Sequence, residues 1–339
     1  MNAFCTLFDS RYFSRGVAMC ESLLRHMPQA RIYLFAFDDL CRRAISALAL
    51  PNVTVVPFEA LEEDGRLRQA RATRGWVEYL WTCSSATTRY VLEHYGEQAC
   101  TYADADIYFF ASPEPLLEEV SGYDVMITEH RFTPTFDQSA TSGVYNVQFM
   151  PFRNSPQGRS ILDWWLAACL ESCELNPAQG KCGDQKYLDD WTTRFQGVRV
   201  MQHLGGGVAP WNVQQYRFAK RDGPPVGIEI ATGKKFDLIF YHFHGFKLTG
   251  RRNVHPTALH YPLTRDVVDL IYTPYVRHLM KVGERLRSLG FDFDPHGAMQ
   301  EPAPSLRERL SAARRRLARM VQRPSPTADV NRVYHTSEL

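Results

Sequence analysis

The sequence lacks several features that would place it in a specialised class of protein. No stretch approaches 18 consecutive apolar residues, and the N-terminus MNAFCTLF lacks the basic region and long apolar segment of a secretory leader. The eight cysteines include no Cys-X-X-Cys pair. The net charge is only +2 over 339 residues, which argues against a polyanionic partner for the body of the protein. We therefore expect a cytoplasmic protein with reduced, mostly buried thiols and no bound nucleic acid.

The composition is that of a globular protein, since 45% of the residues are hydrophobic and 22% are charged. The charge is unevenly distributed, because residues 305–323 contain seven arginines and one glutamate. Leucines recur at helical spacing in the same segment, which predicts a basic amphipathic helix. The alternative is a solvated, disordered extension. As a helix, the segment would bring the protein into peripheral contact with the inner face of the membrane.

Short apolar runs alternate with stretches of helical periodicity along the first half of the chain. They predict strands at 3–8, 31–37, 53–57, 99–103 and 123–128, and helices at 12–26, 40–48, 76–94 and 114–120. This alternation predicts an α/β fold with a mostly parallel central sheet flanked by helices. The second half is less regular, with strands predicted at 144–151 and 238–243, a hairpin near 222–225 and a helix from 264 to about 289. In parallel sheets, ligands bind beyond the carboxyl ends of the strands.

Two aspartates interrupt the apolar run TYADADIYFF, directly after the predicted strand 99–103. Ionised carboxylates at that position need a cation or hydrogen-bond donors to offset their desolvation. Carboxylate oxygens suit Mg²⁺ or Mn²⁺, and such an ion would bridge a diphosphate. An isolated Asp-X-Asp is usually a pair of solvated or capping acids, but the preceding strand and the Ser-Pro helix start of SPEPLLEE favour a metal site at Asp104 and Asp106.

The stretch LIFYHFHGFK places His242, His244 and Lys247 at the end of another apolar strand, beside Gly245. A single histidine at a strand end is more often an ordinary hydrogen-bonded residue. Two histidines and a lysine in a chain with Asp-X-Asp are better explained together as a ligand site. One imidazole would add a ligand that favours Mn²⁺, the lysine would neutralise phosphate charge, and the glycine would let the backbone approach a ligand.

Six segments, taken in order, resemble the motif series of GT-A fold glycosyltransferases: CTLFDSRYFSRGVAMCESLLRH, YADADIYFF, YNVQFMPFRNS, GDQKYLDDW, HLGGGVAPWN and YHFHGFK. The sequence is most similar to glycosyltransferase family 8 and its relatives, the glycogenins and bacterial lipopolysaccharide galactosyltransferases. The resemblance spans about 2–247. It implies a Rossmann-like GT-A fold and a metal-dependent, retaining enzyme of polysaccharide or lipopolysaccharide synthesis. Such an enzyme moves a hexosyl group from a nucleotide diphosphosugar, with a UDP-sugar expected, to a saccharide or lipid-linked saccharide.

The resemblance also implies a role for each motif residue. The Mn²⁺ or Mg²⁺ ligands would be Asp104, Asp106 and His242. The catalytic and sugar-site residues would be Asp184, Gln185 and Asn146. The nucleotide would be bound by Phe8, Asp9, Arg11, Tyr12, Ala103, Asp104, Gly245 and Lys247. No residue is identified as a nucleophile: Asp184 is best placed, but a front-face reaction in which the leaving phosphate takes the acceptor's proton needs no protein base, and Asp184 would then orient the sugar.

The sequence departs from the family pattern at two motifs. Asn146-Val147-Gln148 stands in place of N-[SA]-G, and H-F-x-G-x-x-K is one residue short, ending at Lys247. A catalytically inactive subunit that binds nucleotide sugar is therefore an alternative. A sugar nucleotidyltransferase is a further one, although TLFDSRYFSRG lacks the glycine-rich basic loop of that class. A haloacid-dehalogenase-type phosphatase would need its Asp-X-Asp near the first strand, whereas this one follows the fourth.

The remaining predictions concern organisation and secondary sites. We expect a catalytic domain at 1–260, a C-terminal helix at 261–290 packed on or beside it, and a basic, partly disordered tail at 291–339. The glycines 205–207 would either contact phosphate or allow close packing. Trp164 and Trp165 are expected in the core, and 129–131 either reach the ligand site or form a solvated strand end.

Overall fold

A computed structural model describes residues 2–250, 253–258, 261–299, 334–336 and 339. The basic segment 305–323, with its predicted amphipathic helix, lies outside these residues. The strands are β1 Ala3–Phe8, β2 Arg31–Ala36, β3 Val53–Pro57, β4 Ala99–Ala103, β5 Ile107–Phe109, β6 Val125–Glu129, β7 Tyr145–Asn146, β8 Phe149–Arg153, β9 Leu175–Asn176, β10 Lys181–Cys182, β11 Val198–Val200, β12 Tyr216–Ala219, β13 Val226–Glu229, β14 Lys235–Asp237, β15 Phe240–His242, β16 Lys247–Thr249, β17 Asn253–His255 and β18 Tyr334–His335.

The α-helices are α1 Phe13–His26, α2 Asp39–Leu48, α3 Gly65–Thr73, α4 Trp76–His94, α5 Glu114–Glu119, α6 Ser139–Ser142, α7 Pro156–Glu171, α8 Trp191–Arg194, α9 Arg265–Val267 and α10 Thr273–Ser288. A π-helical turn, Val268–Tyr272, joins α9 to α10, so that the predicted C-terminal helix is continuous. Six short 3₁₀ segments complete the described helical structure: Ser10–Tyr12, Phe58–Glu63, Pro134–Phe136, Pro177–Gln179, Lys186–Asp190 and Val213–Gln215.

Eight of these strands form the central sheet, in the order β11-β6-β8-β4-β1-β2-β3, with β7 paired to the end of β6. Strands β1 to β4 run parallel, and so do β6 and β11. Strand β8 lies between β4 and β6 and is antiparallel to both. The structure therefore confirms the α/β class with a mostly parallel central sheet, and adds the antiparallel strands β7 and β8.

The side chains of β1 show why helices cover both faces of the sheet. Cys5 and Leu7 lie in a buried cluster with side chains of α4 and α7, whereas Phe4 and Phe8 lie in a second buried cluster with side chains of α1 and α2. Successive residues of a strand point to opposite faces, so a strand that is apolar at every position needs cover on both sides. This requirement accounts for the unbroken apolar run at 3–8.

The second half adds small antiparallel sheets to this frame. Strand β5 pairs with β15, and β12, β13 and β14 form a meander. The turn between β12 and β13 is the hairpin predicted near 222–225.

Where one strand was predicted at 144–151, the structure has β7 and β8, separated by two residues. The N–H of Gln148 donates to Oδ1 of Asn146 over 2.9 Å, and this side-chain contact takes the N–H out of the strand ladder.

The segment 295–299, predicted to belong to the tail, packs against the body of the protein. The N–H of Ser14 donates to O of Pro295 over 2.8 Å, and Nη1 of Arg15 donates to O of His296 over 2.7 Å. The N–H of Met299 donates to O of Leu248, next to β16. The segment thus connects the start of α1 to the hairpin of β16 and β17. At the far end of the chain, β18 pairs with β17.

All eight cysteines are free thiols and seven of them are buried, which confirms the prediction made for them. In the part of the chain that the structure describes, every helix is too short or too polar to cross a lipid bilayer.

Candidate metal centre

Three predicted metal ligands meet at the carboxyl edge of the sheet. Strand β4 ends at Ala103, and a tight turn carries Asp104 and Asp106 into β5. Strand β15 pairs with β5 so that His242 lies opposite Ile107. Nε2 of His242 is 3.1 Å from Oδ1 of Asp106 and 3.9 Å from Oδ2 of Asp104. One ligand atom from each of the three residues lies within 4.8 Å of the others, so the cluster can hold a divalent metal ion.

The electrostatics of the cluster favour a shared cation. Asp106 and His242 are buried, and Asp104 is half-buried. Burial raises the pKa of Asp104, because a charged carboxylate loses solvation there. Burial also acts on Asp106, but the adjacent His242 outweighs it and holds the pKa of Asp106 at about 2. Burial lowers the pKa of His242, and the two carboxylates more than offset this, so the imidazole has a raised pKa.

The donor set fits the metal that the sequence predicts. Two carboxylates supply the hard oxygen ligands that Mg²⁺ and Mn²⁺ prefer, and an imidazole shifts the preference toward Mn²⁺. With a neutral imidazole the three groups carry a charge of −2, which a divalent cation would balance. The buried position of Asp106 and His242 makes such balance valuable, because an uncompensated charge is costly away from water.

Tyr12 connects the loop after β1 to the cluster. Its hydroxyl donates to Oδ2 of Asp106 over 3.3 Å. The guanidinium carbon of Arg15 lies 4.4 Å from the centre of the Tyr12 ring, a distance at which a cation is attracted to the aromatic face. Arg15 is itself buried and is fixed by its hydrogen bonds to the segment 295–299 and to O of Phe246. The ring of Tyr12 is therefore supported by Arg15, while the residue as a whole is 39% exposed.

Asp9 holds this loop in place through hydrogen bonds. Its carboxylate accepts five hydrogen bonds: from the N–H groups of Arg11 and Tyr12, from Nε and Nη2 of Arg11, and from Nε1 of Trp76. The two backbone bonds cap the 3₁₀ turn Ser10–Tyr12. Asp9 is buried while the side chain of Arg11 is 68% exposed, so Arg11 is the charged group that this pair offers to a ligand.

Two predicted nucleotide-binding residues have their side chains in the core. The ring of Phe8 packs edge-on against Phe13 at 6.1 Å, and Ala103 is fully buried at the end of β4. Any contact that these two residues make with a nucleotide would come from the backbone.

Two of the three predicted sugar-site residues, Asn146 and Gln185, are joined in a hydrogen-bonded group. Nδ2 of Asn146 donates to Oε1 of Gln185 over 3.0 Å and to Nε2 of His130 over 3.2 Å. Burial lowers the pKa of His130 to about 3, so its imidazole is neutral and can accept that bond. Nε2 of Gln185 donates to O of Ser142. Residues 129–131 were predicted either to reach the ligand site or to form a solvated strand end. His130 is buried and contacts Asn146, so it is not part of a solvated end.

Asp184 is the third member of the predicted sugar site, and it is 6% exposed. Burial raises its pKa to about 7, with a further rise from the charge of Asp104 and an opposing hydrogen bond from Ser84. Its backbone oxygen accepts from Nε1 of the buried Trp165, which anchors the residue to α7. A carboxyl group with such a pKa changes its charge near neutral pH.

Gly245 and Lys247 follow the cluster along the chain. Gly245 has a φ of 73°, a conformation that favours glycine, and it turns the chain after β15. Lys247 begins β16 with an exposed side chain. Among the described contacts, no hydrogen bond or ion pair joins Lys247 to the cluster, so its contribution to phosphate binding stays a prediction.

The remaining candidates are explained by packing. A Cβ on Gly205 would lie 1.9 Å from O of Asp237, and one on Gly206 would lie 2.4 Å from Sδ of Met201. These two glycines are therefore required by close packing. Trp165 is fully buried, as predicted, and Trp164 is partly buried against the same cluster.

Gln148 contacts the site, but the sequence indicated it only as the residue that replaces the glycine of the N-[SA]-G motif. Oε1 of Gln148 lies 2.9 Å from Nδ1 of His242, and the backbone O of Gln148 accepts from the N–H of Asp104 over 3.0 Å. Both contacts join residues that are distant in sequence, and no local pattern indicates them.

Fold and cluster together define a mixed α/β protein that can hold a divalent metal at the carboxyl edge of a mostly parallel sheet. No known protein-family model matches the chain. Two uncharacterized proteins of Bacillus subtilis (strain 168) are similar in sequence. YfnF is 28% identical over 304 residues, which are 86% of this chain and 96% of YfnF. YfnD is 26% identical over 294 residues, which are 86% of this chain and 92% of YfnD.

Solved structures of glycosyltransferases are similar at low sequence identity. The galactosyltransferase LgtC, in complex with donor and acceptor sugar analogs, matches with a TM-score of 0.48 and 12% identity over 82% of this chain and 95% of its own. Mouse xyloside xylosyltransferase 1 matches with a TM-score of 0.43 and 14% identity over 71% of this chain and 96% of its own. The bifunctional glycosyltransferase WbbM matches with a TM-score of 0.48 and 12% identity over 84% of this chain and 51% of its own. Similarity at this level assigns no activity to the chain.

Proposed function

We propose that the protein is a metal-dependent glycosyltransferase. It would move a hexosyl group from a nucleotide diphosphosugar, with a UDP-sugar as the first candidate, to a hydroxyl of a saccharide or lipid-linked saccharide. The observation that most supports this proposal is the convergence of Asp104, Asp106 and His242 at the sheet edge. Ligands bind at that edge in α/β sheets, and an Asp-Asp-His set suits the divalent ion that a diphosphate requires.

The difficult step is the departure of a charged diphosphate from the anomeric carbon. A divalent ion held by Asp104, Asp106 and His242 would supply Lewis-acid stabilisation of that leaving group. Tyr12 donates to Asp106 through its hydroxyl, and its partly exposed ring would contact the nucleotide. Arg11, in the loop after β1, and Lys247, at the start of β16, are exposed cations, and they would attract the diphosphate.

Retention of configuration would follow from a front-face reaction. The bond from the anomeric carbon to the phosphate oxygen breaks, the bond to the acceptor oxygen forms on the same face, and the acceptor's proton passes to the leaving phosphate. In this reaction Asp184 orients the sugar and, when ionised, stabilises positive charge on the sugar ring. Asn146 and Gln185 are fixed to one another, and their amide N–H groups are already hydrogen-bonded within the protein. Their side-chain oxygens would therefore accept from sugar hydroxyls in a preorganised position.

The experiment is release of nucleoside diphosphate from a panel of UDP-, GDP- and CDP-hexoses, with Mn²⁺ and with a chelator. We expect UDP to be released only with Mn²⁺ and only by protein with an intact Asp106. The Asp106→Asn protein is the control. Calorimetry should also show binding of UDP with Mn²⁺ and none of NAD, because no G-x-G-x-x-G follows β1. Tighter binding of NAD than of UDP would contradict the proposal.

A second candidate is a catalytically inactive subunit that binds nucleotide sugar. It is favoured by the buried side chain of Gln148, which stands where the resembling motif has a glycine. The same panel separates the two candidates. Metal-dependent binding of a donor without release of diphosphate, in the presence of a range of saccharide acceptors, would support the inactive subunit.

A further inference from the structure

Gln148 contacts two of the three candidate metal ligands at once. Its side-chain oxygen lies 2.9 Å from Nδ1 of His242, and its backbone oxygen accepts from the N–H of Asp104 over 3.0 Å. Its own N–H is fixed by Oδ1 of Asn146 over 2.9 Å. Gln148 has no exposed surface, and His242 is only 4% exposed. The side chain is therefore held in one place, between the sugar-site group and the cluster.

The contact at Nδ1 of His242 determines whether Nε2, the other ring nitrogen, is free to bind a metal ion. Nε2 of His242 faces the two carboxylates, at 3.1 Å from Asp106. A metal-binding nitrogen must be free of hydrogen, so the imidazole has to carry its hydrogen on Nδ1. That hydrogen needs an acceptor, and the amide oxygen of Gln148 is the group within reach. The same bond fixes the rotation of the ring.

We propose that Gln148 is a positioning residue that holds His242 in the Nδ1–H tautomer and in the orientation required for metal binding. The inference rests on the proposed metal site. It assigns a role to a residue that the resembling motif N-[SA]-G lacks, so the contact is a feature of this chain's own sequence.

Simple packing explains this residue less well. Nε2 of Gln148 is buried and has no hydrogen-bond partner among the described residues. A buried amide with an unpaired N–H₂ group is unfavourable, and a leucine or methionine would fill the space without that cost. The neighbouring backbone also leaves room for the amide, because a Cβ on Gly207 would lie 3.0 Å from Nε2. A polar side chain at this position is therefore best explained by the bond that its oxygen makes.

The test is calorimetric titration of the metal-free full-length protein with Mn²⁺ alone, without any donor or acceptor. Gln148→Met keeps the approximate shape and removes the acceptor, and we expect it to weaken Mn²⁺ binding about 10- to 100-fold. Gln148→Glu keeps an acceptor oxygen at this position, and we expect its Mn²⁺ affinity to be closer to that of the parent than to that of Gln148→Met. The inference would be overturned if the Gln148→Met protein bound Mn²⁺ as tightly as the parent, or if the Gln148→Glu protein bound it as weakly as the Gln148→Met protein.

A matched control is Gln214→Leu. Gln214 makes three side-chain hydrogen bonds, with Thr133, Pro210 and Pro262, and has no described contact with the cluster. This variant loses at least as many bonds, so it reports the effect of general destabilisation on the titration. Its Mn²⁺ affinity should equal that of the parent. An equal loss of affinity in Gln214→Leu and Gln148→Met would show that the effect is not specific to the cluster.

A second comparison separates this inference from the proposed metal site. His242→Ala should weaken Mn²⁺ binding, and Gln148→Met should add nothing in the His242→Ala background, because the two residues act as a unit. If His242→Ala binds Mn²⁺ as well as the parent, the metal site itself is refuted. If His242→Ala weakens Mn²⁺ binding but Gln148→Met leaves it unchanged, the metal site stands and the role of Gln148 is refuted. Should Gln148→Met not fold, Gln148→Asn, which withdraws the oxygen by one methylene, is measured with the same two outcomes.

Discussion

The hydroxyl of Tyr12 donates a hydrogen bond to Oδ2 of Asp106 across 94 positions of sequence. The bond connects the loop after β1 to the turn after β4, and so it couples the predicted nucleotide loop to the candidate metal ligands. Strands β1 and β4 are neighbours in the sheet, which brings the two loops to the same edge.

Tyr12→Phe tests this coupling, because it removes the hydroxyl and keeps the ring. A hydrogen bond to a charged group is worth about 1.5–3 kcal/mol, so we expect the rate of sugar transfer to fall about 10-fold or more. The steady-state rate with a saturating donor is the measurement. Tyr95→Phe is the control, since Tyr95 is exposed far from the cluster and its variant should keep the parent's rate. A Tyr12→Phe rate within twofold of the parent would contradict the prediction.

The two aspartates should respond in opposite ways when each is replaced without metal present. Asp106 has a lowered pKa because of His242, so its charge stabilises the fold at pH 7, and Asp106→Asn should lower Tm. Asp104 has a raised pKa because of burial, so its ionisation is unfavourable, and Asp104→Asn should raise Tm. Thermal unfolding at pH 7 with a chelator is the measurement. Equal shifts in the two variants would contradict this account.

Both substitutions should abolish activity despite their opposite effects on stability. Each removes a charged ligand from the cluster without opening a cavity, and we expect transfer to fall by about 100-fold or more. Circular dichroism should show a folded protein in both cases. Activity within a few-fold of the parent in both variants would rule out the metal assignment.

The two histidines of YHFHGFK should differ in importance. His242 is buried with Nε2 toward the carboxylates, whereas His244 is exposed. His242→Ala should therefore raise the Mn²⁺ concentration needed for half-maximal activity about 10-fold or more, and His244→Ala should raise it much less. A titration of activity with Mn²⁺ makes the comparison, and the reverse order would show that the wrong histidine was assigned.

Asp184 should make the stability of the protein fall as pH rises. Its folded pKa, raised by burial to about 7, lies above the unfolded value of about 3.9. Its contribution to stability is therefore complete below about pH 4 and is lost as pH rises through about 7. Asp184→Asn should match the parent at pH 4 and exceed its Tm at pH 8, while losing transfer activity. Denaturation at the two pH values with a chelator is the measurement, and an equal difference at both would contradict the prediction.

The sequence predicted the α/β class and the two aspartates because both depend on local patterns, whereas the choice of His242 as the third ligand followed from the resemblance to glycosyltransferases. Apolar runs of strand length identify β1 to β4, and the acids fall directly after one of them. The direction of β8 was not predictable, because no local signal distinguishes a parallel from an antiparallel strand. The partners of His242 and Asp9 were also missed, since Gln148 and Trp76 reach them only through the pairing of distant elements. Contacts of this kind depend on register, and register is a property of the folded sheet.

The contacts of the segment 295–299 have a consequence for the order of events during synthesis. Nη1 of Arg15 donates to O of His296, 281 residues later, and Nδ1 of His296 lies 2.9 Å from Oγ of Ser14. At about 5–20 residues per second, a ribosome makes His296 roughly 14 to 56 s after Ser14. Until then, Ser14 and Arg15 lack their contacts with the segment 295–299, and closing so long a loop is slow. The nascent chain can therefore form its sheet well before its ligand-binding edge is complete.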